Sequence, residues 1–372
     1  MESGRKLKVW VMTNEFHPNI IGGLGVVATH LTNMLSKVGV EVTVLCASSD
    51  ERFSISKPSG RLRVVRMPKN KRYYNNSKRT FKANTVLRAA SAMSSSKPDI
   101  IHVHSTDFAT TAAAAKHLYR IPVVYTCHSM VSKGIASPSG KNQTKLIRIA
   151  RRLVVPSRWQ SSAIKKLYPS THGRINVIPH GVKPVSKRTY GKPAKLLYVG
   201  RLIPSKGIEP LMKAVALLSR EHNNVHLTIV GSGHVRYQNS LRTLAKQLGI
   251  ADRIRWIRSI PNGAVQRIYS SYGAVIVPSK EESFCIVALE AMANGVPLVS
   301  TLSGGLKGFV NTRNAQVIPS IDRASIARSI AAMWKNPAKT RKRLINARAT
   351  AARYRWPAIA LRYKSLFTNL RR

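Results

Sequence analysis

The sequence predicts an α/β protein of two domains, and three observations carry that prediction. Short apolar runs recur along the chain, among them Leu7–Met12, Val123–Tyr125, Leu196–Val199 and Ala274–Val277, each followed by a polar turn and a stretch of helical length. The 372 residues are enough for two cores of ordinary size. Glycine and polar residues concentrate where the strands end, the edge at which open parallel sheets hold their ligands.

Composition sets the outer limits. Apolar residues make up 44%, as in a globular protein, and no run approaches a membrane span. Val9-Trp10-Val11-Met12 is too short for a signal-peptide core, so a cytoplasmic protein is expected. Cys46, Cys127 and Cys285 lie far apart in apolar surroundings and read as reduced, buried residues, neither a disulfide framework nor a metal set. Charge is the anomaly: 62 Lys and Arg against 14 acids, a net of +48. No acid occurs between Asp107 and Glu209, and none after Asp322. Such a surface attracts anionic lipid, nucleic acid or an acidic polymer, although an adaptation of solubility accounts for it equally well.

Taken in order, Leu7–Met12 is a strand, followed by a Gly22-Gly23-x-Gly25 turn and a helix to about Val38. Backbone amides there can approach a diphosphate, while a tight turn needing positive φ explains the same glycines. The spacing is not that of a dinucleotide fingerprint. Val40–Cys46 is a second strand. From Asp50 to Lys82 the pattern degrades into a basic stretch with one short strand, Leu62–Met67. Its cations and aromatics around Lys69–Arg79 suit phosphate, base or membrane contact, or simple solvation. Pro98–His104 is a strand with Ile101 and Val103 on one face and His102 and His104 on the other. His128 ends the next strand, and Leu153–Trp159 repeats strand, turn and helix.

The second half opens at Lys195 with a strand that delivers Arg201, and a short turn delivers Lys206. Two cations at one strand end can clamp a diphosphate and neutralise a leaving group. Leu227–Val230 with Gly231-Ser232-Gly233 is a further strand with a phosphate-side turn. After Ala274–Val277, Glu282 sits in a loop, Ser283 is the expected N-cap of a helix from Phe284 to Met292, and Gly295 and Pro297 close it. The amides of Phe284, Cys285 and Ile286 are expected at the helix N-terminus, a ready anion or hydroxyl site. Three of the 14 acids, Glu281, Glu282 and Glu290, lie in this one segment. Arg355-Trp356-Pro357 starts a terminal helix.

The segment from Pro278 to Pro297 resembles the Glu-x7-Glu signature of retaining nucleotide-sugar glycosyltransferases of family 4, with Pro-Ser before it and Ala-Met-Ala-x-Gly-x-Pro after it. Gly200-Arg201-Leu202-x-Pro204-x-Lys206-Gly207 is a second match, and the resemblance covers nearly the whole chain. It implies the GT-B fold: two doubly wound Rossmann-like parallel-sheet domains facing a cleft, with the C-terminal helix crossing back. The expected boundaries are 1–183 for an acceptor-side domain, 184–355 for a donor domain and 356–372 for the returning helix. By the same resemblance Glu282 and His128 lie against the donor sugar, Glu290 binds the nucleotide ribose, Arg201 and Lys206 hold the phosphates, and Gly23 and Gly25 lie near them. Gly231, Ser283, Phe284, Cys285 and Ile286 complete the expected donor site. Two positions depart from the pattern: Lys183 replaces an acid, and Gly308 stands where the family commonly has Glu, which casts doubt on rate or donor choice.

The expected function is therefore retaining transfer of a hexose-type sugar, from UDP as the expected nucleotide, to a saccharide, lipid-linked or cell-surface polymer acceptor. No metal or other cofactor is expected, since no Asp-x-Asp occurs and Arg201 and Lys206 can do a metal's electrostatic work. Acceptor contacts are expected in the loops Glu15–Gly23 and Val131–Gln143. The cation excess points to peripheral binding at the inner membrane face. The alternatives are a polyanion- or nucleic-acid-binding protein on the same scaffold with weak or lost catalysis, and an epimerase or phosphorylase; no pyridoxal-type lysine motif is visible for the latter.

Overall fold

The structure, a computed structural model, describes residues 5–48, 52–93, 97–130, 134–183, 185, 191–258, 260 and 267–371. The chain forms two units, residues 1–180 with 356–372 and residues 181–355.

In the first unit the order is β1 (Lys8–Thr13), α1 (Gly23–Lys37), β2 (Glu41–Ala47), β3 (Ser54–Ser59), β4 (Leu62–Met67), β5 (Tyr74–Asn75), β6 (Thr80–Phe81) and α2 (Ala83–Met93). There follow β7 (Ile100–Val103), α3 (Ala109–Tyr119), β8 (Val123–Thr126), α4 (Pro138–Ile149), β9 (Arg152–Val155), α5 (Arg158–Leu167) and β10 (Ile175–Val177). The sheet runs β10-β9-β8-β7-β1-β2-β4-β3, parallel except for β3 on its edge. Chain order reverses between β1 and β7, and both strands are buried on both faces, which explains their near-continuous apolar character. Ile101 and Val103 join the core beneath α2, α3 and α4. The opposite face of β7 carries Ile100 and His102, and it is buried too: the His102 ring lies 5.3 Å from Tyr363 and 5.2 Å from Phe367. Those two residues belong to the chain's last helix, Trp356–Arg371, which packs on α1 and β7. Trp356 stacks on His30 at 5.6 Å and Lys364 Nζ donates to the Val38 carbonyl at 2.7 Å.

The stretch read as basic loop holds more structure than expected. β3 is a polar edge strand without apolar alternation, and β5 and β6 form a two-residue hairpin. β3 lacks the apolar alternation, and β5 and β6 the length, for a periodic signal. Lys69 and Tyr74, from the cation–aromatic mix, are committed inside the unit: both donate to Asp107 Oδ2, at 2.8 and 2.9 Å.

The second unit contains β11 (Lys195–Val199), α6 (Ile208–Glu221), β12 (His226–Val230), α7 (Val235–Gln247), β13 (Ile254–Ile257), β14 (Ala274–Val277), α8 (Ile286–Asn294), β15 (Leu298–Ser300), β16 (Gln316–Val317), α9 (Arg323–Lys335) and α10 (Pro337–Ala352). Numbering in chain order makes the returning helix Trp356–Arg371 α11. The sheet order is β13-β12-β11-β14-β15-β16, all parallel. α6 packs on α9 and α8 on α10, so each sheet face has its own core. Chain order reverses between β11 and β14. In open α/β sheets a crevice for ligands opens at such a switch point, beyond the strand carboxyl ends.

Candidate active site

In the second unit, the loops after β11 and β14 meet at the switch point. Gly207 has φ +69°, and a Cβ there would collide with the Pro278 carbonyl oxygen. Only glycine allows this approach. Lys280 N donates to Ser205 O at 2.8 Å, fastening the two loops together. Their contact brings Lys206 Nζ to 2.7 Å from Glu282 Oε1, with side-chain exposures of 16% and 13%. Ser279 Oγ donates to the same oxygen at 2.8 Å. The Ser279 carbonyl in turn accepts from Thr301 Oγ1 at 2.8 Å and Ser303 Oγ at 2.6 Å. Beneath the loop, Gly305 N donates to Glu282 O at 2.6 Å, and Gly304, at φ +56°, leaves no room for a Cβ against that carbonyl. An ion pair this shielded is retained only where further hydrogen bonds offset desolvation. Ser279 supplies one.

The start of α8 corrects the expectation. Its N-cap is Cys285, not Ser283, and the helix begins at Ile286. Cys285 adopts φ 73°, in the left-handed region that a side chain rarely enters, so the chain turns sharply between Glu282 and the helix. Phe284 is therefore not a first-turn helix residue. It is buried, with its ring 4.9 Å from Phe309 and 6.0 Å from Tyr354. Cys285 is partly exposed rather than buried. Desolvation, then the Glu282 charge, pushes its thiol well up, against the opposing pull of Lys206. The thiol stays protonated beside the carboxylate. Gly295 closes α8 at φ 67°, as expected.

Glu290 lies on α8, 5% exposed, and accepts a hydrogen bond from Tyr269 OH at 2.8 Å. Burial and then that carboxylate raise the Tyr269 pKa well above its ordinary value. Arg201 is exposed just past β11, where its carbonyl accepts from Tyr198 OH at 3.0 Å. Gly231 lies against Gly200 so closely that a Cβ would strike the Gly200 carbonyl oxygen. Loop contact thus joins Lys206, Glu282 and Cys285, while Arg201 reaches into solvent and Glu290 is held by Tyr269.

In the first unit, the loop after β1 carries Gly22-Gly23-Leu24-Gly25. The Glu15 carboxylate accepts from the amides of Ile21 and Gly22, both at 2.9 Å. Gly25 faces it in the first turn of α1, where a Cβ would come within 2.7 Å of Glu15 Cβ. A carboxylate therefore occupies the loop's first amides, where sequence reasoning expected room for a phosphate. Beyond β7 and β8 lies a cluster of histidines. His104 Nδ1 is 2.9 Å from His128 Nε2, and the His180 ring is 5.3 Å from that of His128. His102 Nε2 is 2.8 Å from Thr126 Oγ1. Desolvation pulls His102 and His128 down to about 3, and His104 and His180 well below their ordinary value. Neighbouring imidazoles add to the effect on His102, His104 and His180. The cluster is neutral at physiological pH. Among the described residues no group of three or more His, Cys, Asp or Glu is placed to hold a metal ion.

Two family models cover the chain in succession. Residues 21–185 match Glycosyltransferase Family 4, and residues 182–350 match Glycosyl transferases group 1. The chain belongs to glycosyltransferase family 4. Among curated relatives, this family 4 chain is 26% identical to a glycogen synthase of Mycobacterium tuberculosis, over 94% of its own length and 90% of that protein. Among solved structures it is similar to the sucrose-phosphate synthase of Thermosynechococcus elongatus, with TM-score 0.81, 21% identity and coverage of 98% and 99% of the two chains. It is also similar to HepE of Anabaena in complex with UDP and glucose, with TM-score 0.75, 18% identity and coverage of 98% and 100%. The fold of this glycosyltransferase is GT-B.

Sequence reasoning missed several residues that touch the candidate site. Tyr269, His104 and His180 make long-range contacts that no local motif encodes, whereas Ser279, in the Pro-Ser pair of the motif, lies three residues from the carboxylate it bonds. His104 had one signal, its position two residues after His102 on the same face of a strand. Residues 131–133, the start of the expected acceptor segment, lie outside the described residues.

Proposed function

We propose that this glycosyltransferase moves a hexose from a nucleotide diphosphate sugar, with UDP as the nucleotide, to a saccharide, lipid-linked or polymer acceptor, retaining anomeric configuration and using no metal or other cofactor. The observation that carries the reading is the Lys206–Glu282 pair at the β11/β14 switch point. There a cation and a carboxylate stand side by side where an open α/β sheet presents its ligand.

Lys206 exchanges Glu282 for donor phosphate oxygens, joined by Arg201, and the two cations stabilise the departing diphosphate. Freed of its cation, Glu282 accepts hydrogen bonds from sugar hydroxyls while Ser279 keeps its orientation. The amides at the Cys285–Ile286 turn assist, Gly231 permits close backbone approach, and Glu290, fixed by Tyr269, takes the ribose. Gly23 and Gly25 line the phosphate side of the first unit, and neutral His128 orients the sugar through a hydrogen bond. UDP is favoured by the structural likeness to HepE, which was solved with UDP and glucose. Retention rests on the Glu282-x7-Glu290 resemblance. We place the protein in the cytoplasm, at the inner membrane face; no helix among the described residues is long and apolar enough to cross a membrane.

The test is nucleotide release from UDP-, GDP- and ADP-sugars, with donor binding measured in parallel and Lys206→Ala and Glu282→Ala as controls. Release from a UDP-sugar, lost in both variants, is the expected outcome. Binding of none of the three donors would sink the reading. It would move forward the alternative of a polyanion-binding protein with lost catalysis, which the +48 charge and Gly308, facing open space where the family commonly has Glu, both favour.

A further inference from the structure

We propose that the C-terminal ends of α3, α4 and α5 form one face that docks the first unit onto an anionic lipid bilayer. The strands β7, β8, β9 and β10 step in one direction across the sheet. Right-handed crossovers therefore lay α3, α4 and α5 side by side on one sheet face. Their last turns end together at the edge opposite the one that carries His104 and His128. Contacts tie those ends to one another: Lys116 Nζ donates to Ile149 O at 2.9 Å, and Arg174 donates to Ala150 O at 2.7 Å. Thr144 Oγ1 and Tyr168 OH are 2.8 Å apart.

The chemistry of this edge is one-sided. It lies wholly within the stretch between Asp107 and Glu209 that has no acid. Lys116, Arg120, Lys145, Arg148, Arg151 and Lys166 are exposed there. Leu118 and Leu167, at the ends of α3 and α5, are 62% and 45% exposed. An open groove of about 400 Å³ runs along α4, from Ile135 before its first turn to Ile149 in its last, among Lys141, Lys145 and Arg148. One cation per helix end is explained by the helix dipole. Neither the surplus of cations nor the exposed leucines is. An anionic bilayer meets both, because headgroups attract the cations while aliphatic tips enter the acyl boundary. Single-stranded nucleic acid would call for aromatic stacking platforms instead of leucines. The proposal does not depend on which sugar is transferred, or on transfer at all.

The test is co-sedimentation of the full chain with phosphatidylcholine vesicles, with and without phosphatidylglycerol, across a salt series. Binding is expected only to the anionic vesicles, weakening as salt rises. The triple variant Lys145→Glu, Arg148→Glu, Lys166→Glu should lower partitioning about tenfold or more. An equally charged control, Lys213→Glu, Lys246→Glu, Arg328→Glu in the second unit, should change it far less. Leu118→Gln with Leu167→Gln should leave a weaker, more salt-sensitive association. Circular dichroism confirms that each variant is folded. The proposal fails if the native chain ignores anionic vesicles, if the two triple variants lose binding equally, or if the leucine variant binds as the native chain does. It fails as well if the docking-face triple loses affinity for single-stranded RNA while keeping its affinity for vesicles.

Discussion

Lys206 and Glu282 are each other's partners, 2.7 Å apart and shielded from water, although family resemblance assigns one to the donor phosphate and the other to the sugar. On the proposed reading, a donor diphosphate competes with Glu282 for the ammonium. Donor binding and rearrangement of the pair are then one event. Lys206→Ala should weaken UDP binding and cut turnover about 100- to 1,000-fold, the usual cost of one electrostatic stabiliser. Glu282→Gln keeps a hydrogen-bonding side chain beside Ser279 and releases Lys206, so UDP should bind as tightly or more tightly while turnover falls. Titration calorimetry with UDP separates the two variants. Equal losses of UDP affinity would contradict this division of labour.

The loop that carries Glu282 rests on two glycines. Gly304→Ala puts a Cβ against the Glu282 carbonyl at a positive φ, and should cost about 1–3 kcal/mol. Turnover should fall further than stability, because the displaced backbone carries the carboxylate with it. Gly308 faces open space, so Gly308→Ala should stay within about 0.5 kcal/mol of the native protein. Thermal melts of the two variants make the comparison.

His104 positions His128. Across their 2.9 Å contact one ring must donate and the other accept, so the proton on His104 decides whether the remaining His128 nitrogen, Nδ1, donates to a substrate or accepts from it. His104→Ala removes that constraint and admits water. The His128 pKa should then rise from about 3 toward its ordinary value, and the acid limb of the pH–rate profile should move up with it. Ring proton shifts followed by NMR report the same titration without turnover. An unchanged His128 titration in the variant would rule this role out.

Acid should loosen the first unit early. His102 and His104 are buried and their folded pKa values lie below the ordinary 6.5, so the unfolded chain binds more protons once pH falls below that value. Stability is fully present above about pH 6.5 and declines as pH falls from there, by up to about 1.4 kcal/mol per pH unit for each histidine. Melting temperature between pH 7 and 5 should drop, and His102→Gln should make the slope shallower. A melting temperature flat across that window would contradict the burial of neutral rings.

Much of the fold was legible residue by residue. Leu62–Met67 and Ala274–Val277 are strands with the bounds that their apolar runs suggest, and Gly295 ends its helix. These features depend on local composition and backbone freedom. β3 and the β5–β6 hairpin were not legible, because short polar edge strands carry no periodic signal and form only where a neighbouring strand or Asp107 waits for them.

By itself the sequence determined the strand–turn–helix rhythm and the charge excess, and it marked Arg201, Lys206, Glu282 and Glu290 as candidate site residues, because each of these is a property of neighbouring residues. Only the tertiary structure decided that Lys206 is bound to Glu282, that Tyr269 holds Glu290, that His104 meets His128, and that α8 begins after a left-handed Cys285. Those are contacts between loops brought together by parallel strands. The order of strands in a sheet is set by packing across the whole unit, so no local stretch of sequence specifies which loop ends will touch.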